Sequence, residues 1–389
     1  MKVLWILNGC GLEGREITGA PVRFHEISRR FAARGVEQQV MTTPGGAMLL
    51  ETLGSKEPRV VVAASIFLKR EPCRAFRFWS YLVSAFAGRR ARAELRRADV
   101  VISVSDYFCD VAPALAIRRR WSARWIAWTH HAEGGSGARS GRRLTAKVTR
   151  AMQNWSYRRI ACFADLVGVL DSPGGDESAE RLLAFGLAAA RLRRMRNGVD
   201  FSGIRATPKP ATQAVDAVLV GIRPGKGLSD ILPIWRRVLE LRPRSTLQLM
   251  GGMSGCEGLL GEIKRTGLGE SIRVFRPQGG FLTGAAYWAK LKEAKVLFAP
   301  SPWEGWGIVV CEAMAASVAV VAYDLATYQR IYPGAYEAIP CGDREAFARA
   351  IVRILDDEQR RANLCAEGLK TAARYDWEAI AEQDYEVLG

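Results

Sequence analysis

Ala299-Pro-Ser-Pro-Trp-Glu304-Gly-Trp-Gly307-Ile-Val-Val-Cys-Glu312-Ala-Met-Ala-Ala316 reads as the end of a strand, a loop of Pro, Gly and Trp, and an apolar helix beginning near Gly307. From Gly307 to Tyr323, Glu312 is the only charged side chain. A lone carboxylate in a buried helix is costly without partners, so Glu312 is expected either in a salt bridge or reserved for a ligand. Glu304 stands on the loop and Glu312 about two turns into the helix, which lets both face one ligand. The helix start between them has no acidic cap, and its N–H groups and dipole favour an anion. A phosphate flanked by hydroxyl groups satisfies all three features.

On both sides of this stretch, short apolar runs alternate with longer amphipathic ones, the pattern of parallel sheets covered by helices. In the first half, strands are expected at Val3–Leu7, Gln39–Thr43, Val60–Ala64, Val100–Val104, Trp125–Trp128 and Leu166–Leu170. Helices are expected at Pro21–Arg34, Cys73–Arg97 and Leu144–Phe163. Around 197–215 the pattern breaks at the turn dipeptide Asn197-Gly198 and the Pro-bearing Ala206–Thr212. The alternation restarts with strands at Ala217–Val220, Thr246–Met250, Ile272–Phe275, Val296–Ala299 and Val318–Ala322, and after Asp343 everything reads as helix. This predicts an α/β domain over 1–205, a second over 206–370, and a C-terminal helix in 371–389 that packs back across the junction. Two such domains imply a cleft, where these folds bind ligands.

The 389 residues and their 49% apolar content suit two folded domains and exclude global disorder. The N-terminus holds a run of only five apolar residues, Val3–Leu7, before Asn8 and Gly9, short of a signal-peptide core, and no run approaches a membrane span, so a cytoplasmic location is expected. Eight cysteines without a Cys-x-x-Cys pair and only three histidines argue against a zinc site or a disulfide framework. The net charge of +16 is uneven: residues 1–200 hold 33 Lys and Arg against 18 Asp and Glu, whereas 201–389 hold 23 against 22. Two domains with different partners are implied. No aromatic-plus-basic motif accompanies the charge, which argues against nucleic acid as the partner.

Gly9-Cys-Gly11-Leu-Glu-Gly14 follows the first strand and fits G-x-G-x-x-G, the phosphate loop of dinucleotide folds. The context fails, because Gly19 and Pro21 would fall inside the helix that should follow, and the second strand ends in Thr42-Thr43-Pro44 with no carboxylate for a ribose. A loop over Asn8–Ala20 with Pro21 in the first helical turn fits better, its glycines allowing backbone N–H groups to approach an anion.

The Glu-x7-Glu spacing, with Gly-x-Gly after the first Glu and Ala-Met-Ala after the second, resembles the donor-site motif of retaining glycosyltransferases of family 4, which have the GT-B fold. The likeness continues through Thr18-Gly-Ala-Pro-Val-Arg23, Arg34-Gly35, Thr129-His130, Asn197-Gly-Val-Asp200 and Gly221–Gly227, in order along nearly the whole chain. The resemblance implies two Rossmann-like α/β domains facing a central cleft, and transfer of a sugar from a nucleotide sugar to an acceptor hydroxyl with retention and no cofactor or metal. It places Glu304 at the donor sugar and Glu312 at the ribose. Gly19, Gly307 and Ile308 would lie against the diphosphate, with Arg223 and Lys226 neutralising the departing phosphate. His130 would lie beside the sugar, a place the adjacent His131 could take instead; His25 reads as a packing residue. Cations at the leaving group suit the chemistry, because breaking a glycosyl-phosphate bond builds negative charge there.

The chain departs from the family in three places. Ile222 separates Gly221 from the first basic residue, Ala316-Ser-Val-Ala319 replaces the usual Gly and Pro, and Tyr323-Asp-Leu-Ala-Thr-Tyr-Gln329 replaces a Gly-Gly segment near the donor. Donor identity is affected more than fold. A GT-B phosphorylase, a sugar-nucleotide epimerase and a non-catalytic basic binding protein stand as alternatives. On the acceptor side, Phe76, Trp79, Leu82, Val83 and Phe86 share one helical face with arginines at both ends. This reads either as a core-facing helix or as one lying on an anionic membrane surface, with a lipid-linked or envelope-glycan acceptor and peripheral attachment at the inner membrane face.

Overall fold

Leu4, Trp5, Ile6 and Leu7 expose none of their surface, as a parallel strand covered on both faces requires. The computed structural model describes residues 1–9, 18–56, 58–62, 94–130, 143–222, 224–251, 256–275 and 282–388. The chain divides into two units, Met1–Asn197 with Glu378–Gly389, and Gly198–Trp377.

In the first unit, β1 (Lys2–Leu7), β2 (Glu37–Thr42), β3 (Arg59–Val62), β4 (Val100–Ser103), β5 (Arg124–Thr129), β6 (Leu166–Leu170) and β7 (Leu192–Met195) form a parallel sheet in the order 3-2-1-4-5-6-7. The strand β7 was not expected from the sequence. Its centre, Arg193-Arg194, is exposed at the edge of the sheet, so no apolar run marks it. The first helix, Gly19–Ala33, starts two residues before the expected Pro21. Residues 63–93, which hold most of the expected Cys73–Arg97 helix and all of its aromatic face, lie outside the described residues.

A buried polar chain joins three elements of this unit. Trp5 Nε1 donates to Gln38 Oε1 at 2.8 Å, and Gln38 Nε2 donates to the Ser28 carbonyl at 2.8 Å. The last helix, Trp377–Glu386, is tied to Gly19–Ala33 by the pair Arg23–Asp384, by Arg30–Glu378 at 2.9 Å, and by Tyr385 edge-on to Phe31 at 5.8 Å.

In the second unit, β8 (Val215–Val220), β9 (Leu247–Met250), β10 (Ile272–Phe275), β11 (Ala294–Ala299), β12 (Ala319–Tyr323) and β13 (Glu337–Ile339) form another parallel sheet, in the order 10-9-8-11-12-13. The segment read as an irregular break contains a helix, Phe201–Ala206, whose Asp200 cap accepts the Gly203 N–H at 2.9 Å. Buried Lys292 donates to the Ile204 carbonyl at 2.6 Å and also bonds the Thr207 carbonyl, so this helix belongs to the second unit. The division therefore falls after Asn197, ahead of the expected 205/206 boundary.

Both sheets reverse their winding between two central strands, β1 and β4 in one, β8 and β11 in the other. Loops leaving such a switch point open a crevice at the carboxyl ends of the strands. In the first unit that place is held by Asp110, in the first turn of the helix Phe108–Trp121. Its carboxyl accepts the Asn8 N–H at 2.6 Å, the Gly9 N–H at 3.0 Å and the Ser105 hydroxyl. Burial pushes Asp110 up to about 7 against those hydrogen bonds, with Asp106 adding to the rise. Because the folded value lies above the ordinary one, folding favours the protonated form. The stability Asp110 contributes is fully present below about pH 4 and is lost as pH rises toward about 7. The unfolding free energy of Asp110→Asn minus that of the natural protein is therefore expected to grow between those pH values and level off above them. Denaturant titrations across that range measure it; a difference independent of pH contradicts the assignment.

Candidate donor site in the second unit

The loops after β8 and β11 leave the switch point side by side, and a glycine brings them together. Gly227 caps the helix Leu228–Leu241 at φ +70°, and a Cβ there would lie 2.0 Å from the Pro300 carbonyl oxygen. No side-chain rotation relieves a clash with backbone, so only glycine permits this approach. It sets Lys226, one residue earlier, against the loop that carries Glu304.

Lys226 Nζ forms an ion pair with Glu304 Oε1. Their side chains are 16% and 11% exposed, enough burial to make the pair more than a screened surface contact while leaving a ligand access to it. Both line a small pocket with Pro300, Ser301, Gly307 and Tyr328, floored by residues of β8 and β11. Ile222, which displaces the basic residue from its usual place after the glycine, is buried in the core of this unit. Arg223 lies outside the described residues.

Gly307 caps the helix Ile308–Ala315 at φ +85°, with no side-chain cap and no acidic residue in the first turn. A Cβ on Gly307 would lie 2.7 Å from the Tyr328 ring, a second position where only glycine fits. Lys226, Glu304, Gly307 and Ile308 are thus gathered at one end of one sheet: a cation, a carboxylate and an uncapped helix start. An anion is favoured there by the dipole of the first turn, and a hydroxylated group by the carboxylate.

Glu312 sits less deep than its expected two turns. The helix starts at Ile308, which makes Glu312 its fifth residue, little more than one turn in. It is half-buried, and its Oε2 accepts the Tyr287 hydroxyl at 2.9 Å. Burial, the Glu312 charge and this hydrogen bond together hold Tyr287 protonated well above its ordinary range. Neither Tyr287 nor the tyrosines behind Gly307 were singled out from sequence, although Tyr328, Tyr332 and Tyr336 recur at helical spacing.

The remaining expected residues belong to the first unit. Gly19 opens the first helix, and half-buried His130 follows β5 with its Nε2 2.9 Å from the Val104 carbonyl, beside the end of β4. His131 lies outside the described residues, while His25 Nδ1 bonds the Ser55 hydroxyl. Among the described residues no cluster of His, Cys, Asp or Glu could hold a metal, and no helix is long and apolar enough to cross a membrane.

The Gly227 contact makes a prediction. Gly227→Ala should cost at least about 2 kcal/mol, because a backbone collision adds to the left-handed strain. Gly221→Ala, at φ +75° with open space around it, isolates the strain alone and should cost about 1 kcal/mol. Denaturant unfolding of the two variants checks this; equal costs would mean that the Pro300 contact is relaxed in solution.

Comparison with known proteins assigns both halves of the chain. Residues 17–202 match the model for Glycosyltransferase Family 4, and residues 205–371 that for Glycosyl transferases group 1. A phosphatidyl-myo-inositol mannosyltransferase of Mycobacterium leprae is 34% identical over 163 residues, a match covering 41% of this chain and 42% of the relative. The chain thus aligns with less than half the length of that protein. A D-inositol 3-phosphate glycosyltransferase of Frankia alni is 27% identical over 93% of this chain and 92% of its own. The sucrose-phosphate synthase structure of Thermosynechococcus elongatus superposes with a TM-score of 0.76 at 20% identity, covering 100% of this chain and 98% of that one. Two parallel-sheet units, a glycine-gated Lys and Glu at the second switch point, and family matches across both halves lead to one conclusion: the chain belongs to the family 4 glycosyltransferases of the GT-B fold.

Proposed function

We propose that the protein is a retaining glycosyltransferase that moves a hexosyl-type sugar from a nucleoside diphosphate sugar to an acceptor hydroxyl, without a bound metal. The observation that carries this reading is the partly buried Lys226–Glu304 pair beside the uncapped helix start at Gly307 and Ile308. In the reaction the bond between the sugar's anomeric carbon and the diphosphate oxygen breaks. The acceptor oxygen bonds to that carbon, and the acceptor's proton leaves with the diphosphate side. Negative charge grows on the leaving oxygen, and preorganised positive groups there lower the barrier.

In this reading Lys226, Arg223 and the N–H groups of Gly307 and Ile308 take the diphosphate, Glu304 the sugar hydroxyls, and Glu312 the ribose. The family resemblance assigns Gly19 to the phosphates and His130 to the sugar. Without donor, Glu304 neutralises Lys226; a diphosphate competes for the lysine and frees the carboxylate for sugar hydroxyls. The acceptor we propose is a glycan or lipid-linked glycan of the cell envelope. The net charge of +16 favours an anionic membrane surface as the place where it is met.

Glu304→Gln keeps the shape and a hydrogen-bond acceptor while removing the charge; Lys226→Ala removes the cation. Each is expected to lower turnover at least about tenfold, or about 1.4 kcal/mol of barrier. The assay follows release of nucleoside diphosphate from UDP- and GDP-linked hexoses, with and without acceptor glycans, on variants whose melting is intact. Near-normal rates in both variants would remove the donor-site assignment, and conversion of the donor into an epimeric nucleotide sugar, without acceptor and without net release of diphosphate, would favour an epimerase. Turnover should also survive EDTA, since Lys226, Arg223 and a helix terminus meet the diphosphate charge. Complete loss restored by magnesium or manganese would contradict that part of the proposal.

A further inference from the structure

The turn from Glu304 to Gly307 has no regular secondary structure of its own, yet it must hold a carboxylate and a helix start in fixed relation. Two of its carbonyls are held from outside. Thr327 Oγ1 donates to the Glu304 carbonyl at 2.9 Å, and the Tyr332 hydroxyl donates to the Gly307 carbonyl at 3.2 Å. Between them, the Tyr328 ring occupies the space that a side chain on Gly307 would need. All three side chains come from the helix Ala326–Ile331 and the residue after it. They begin within Tyr323–Gln329, the segment where this sequence departs from the family it resembles.

That support is itself anchored. Tyr328 and Tyr332 are fully buried; Tyr332 meets Trp306 edge-on at 5.6 Å and Tyr375 at 6.1 Å, and Tyr375 donates to the Ile331 carbonyl at 3.0 Å. Tyr336 packs against Tyr328 at 5.7 Å and donates to Asp324 at 2.8 Å. The hydroxyls that reach the turn therefore project from a packed aromatic wall rather than from a mobile loop. The torsions at Glu304 decide where its carboxylate points, and those at Gly307 decide where the first-turn N–H groups point.

We infer that Thr327 and Tyr332 are positioning residues of the donor site, Thr327 setting the Glu304 carboxylate through the Glu304 carbonyl and Tyr332 setting the Gly307 and Ile308 N–H groups through the Gly307 carbonyl. The inference rests on the donor-site reading proposed above. It separates the two roles: loosening Glu304 should slow the chemical step, whereas loosening Gly307 should weaken the hold on a diphosphate. A misplacement of about 1 Å at a reacting group can cost about a hundredfold in rate, so one lost hydrogen bond to this turn suffices for a measurable effect.

Thr327→Val and Tyr332→Phe each delete one hydroxyl and keep the side-chain shape. Each should lower the melting temperature by no more than about 2–4 °C. Thr327→Val is expected to lower kcat about tenfold with the donor KM within about twofold of the natural protein, and Thr327→Ser to restore it. Tyr332→Phe is expected to weaken UDP and GDP binding about tenfold in calorimetry, while Thr327→Val leaves that binding unchanged. Natural kcat in Thr327→Val together with natural diphosphate affinity in Tyr332→Phe overturns the inference, as does a loss in Thr327→Val that Thr327→Ser does not restore. Glu304→Gln measured alongside separates the two levels. If it is impaired while the hydroxyl variants are not, the positioning roles alone fall; if it too is natural, the donor-site reading falls with them.

Discussion

A backbone carbonyl of one loop occupies the place where another loop would carry a Cβ. Gly227, at the start of the helix Leu228–Leu241, lies against the Pro300 oxygen, and the candidate site depends on that approach. Adjacent strands stand about 4.8 Å apart, so loops from β8 and β11 start close together, but side chains on both would normally hold them apart. With glycine at 227 the loops close up, and Lys226 meets Glu304 as a partly buried pair. Desolvation makes such a pair sensitive to anything that competes for either partner, which suits the donor-binding role proposed for it.

The two sheets solve the same topological problem with different chemistry. In each, a carboxylate C-terminal to the central crossover strand reaches back to the loop that follows the first strand of the unit. Asp110, beyond β4, takes the N–H groups of Asn8 and Gly9; Glu304, beyond β11, takes Lys226. Asp110 is wholly buried, and burial raises it to about 7, so it acts as a structural clasp on the exit of β1. Glu304 instead pairs with a lysine and lines a pocket. The same winding thus yields a fully buried joint in one unit and a partly exposed one that lines a pocket in the other.

Much of the architecture was legible in the sequence. Central parallel strands such as Val3–Leu7 and Val296–Ala299 are buried on both faces, so they appear as unbroken apolar runs that local reading detects. The edge strands β7 and β13 escaped, one because arginines occupy its centre, the other because it has three residues. The helix Phe201–Ala206 was hidden by the turn dipeptide before it and the prolines after it. It persists because Asp200 caps its start and a buried lysine from far along the chain binds carbonyls at its end. The helix start at Gly307 was legible as well; Glu312, its fifth residue, is little more than one turn in because each turn takes 3.6 residues.

By itself the sequence determined the residue types of the site and their order: a cation and a glycine after one strand, a carboxylate, a glycine and an apolar helix after another. Those are local properties, set by spacing, burial pattern and backbone permissiveness. Tertiary structure alone decided which of these residues meet and what holds them. Strand order brought Lys226 to Glu304 across 78 residues of chain, and Tyr287 found Glu312 across 25. The tyrosines of 328–336 became the wall behind Gly307 for the same reason. Contacts of this kind arise only when separate apolar faces are buried against one another, and the free energy of that burial belongs to the assembled unit rather than to any window of its sequence.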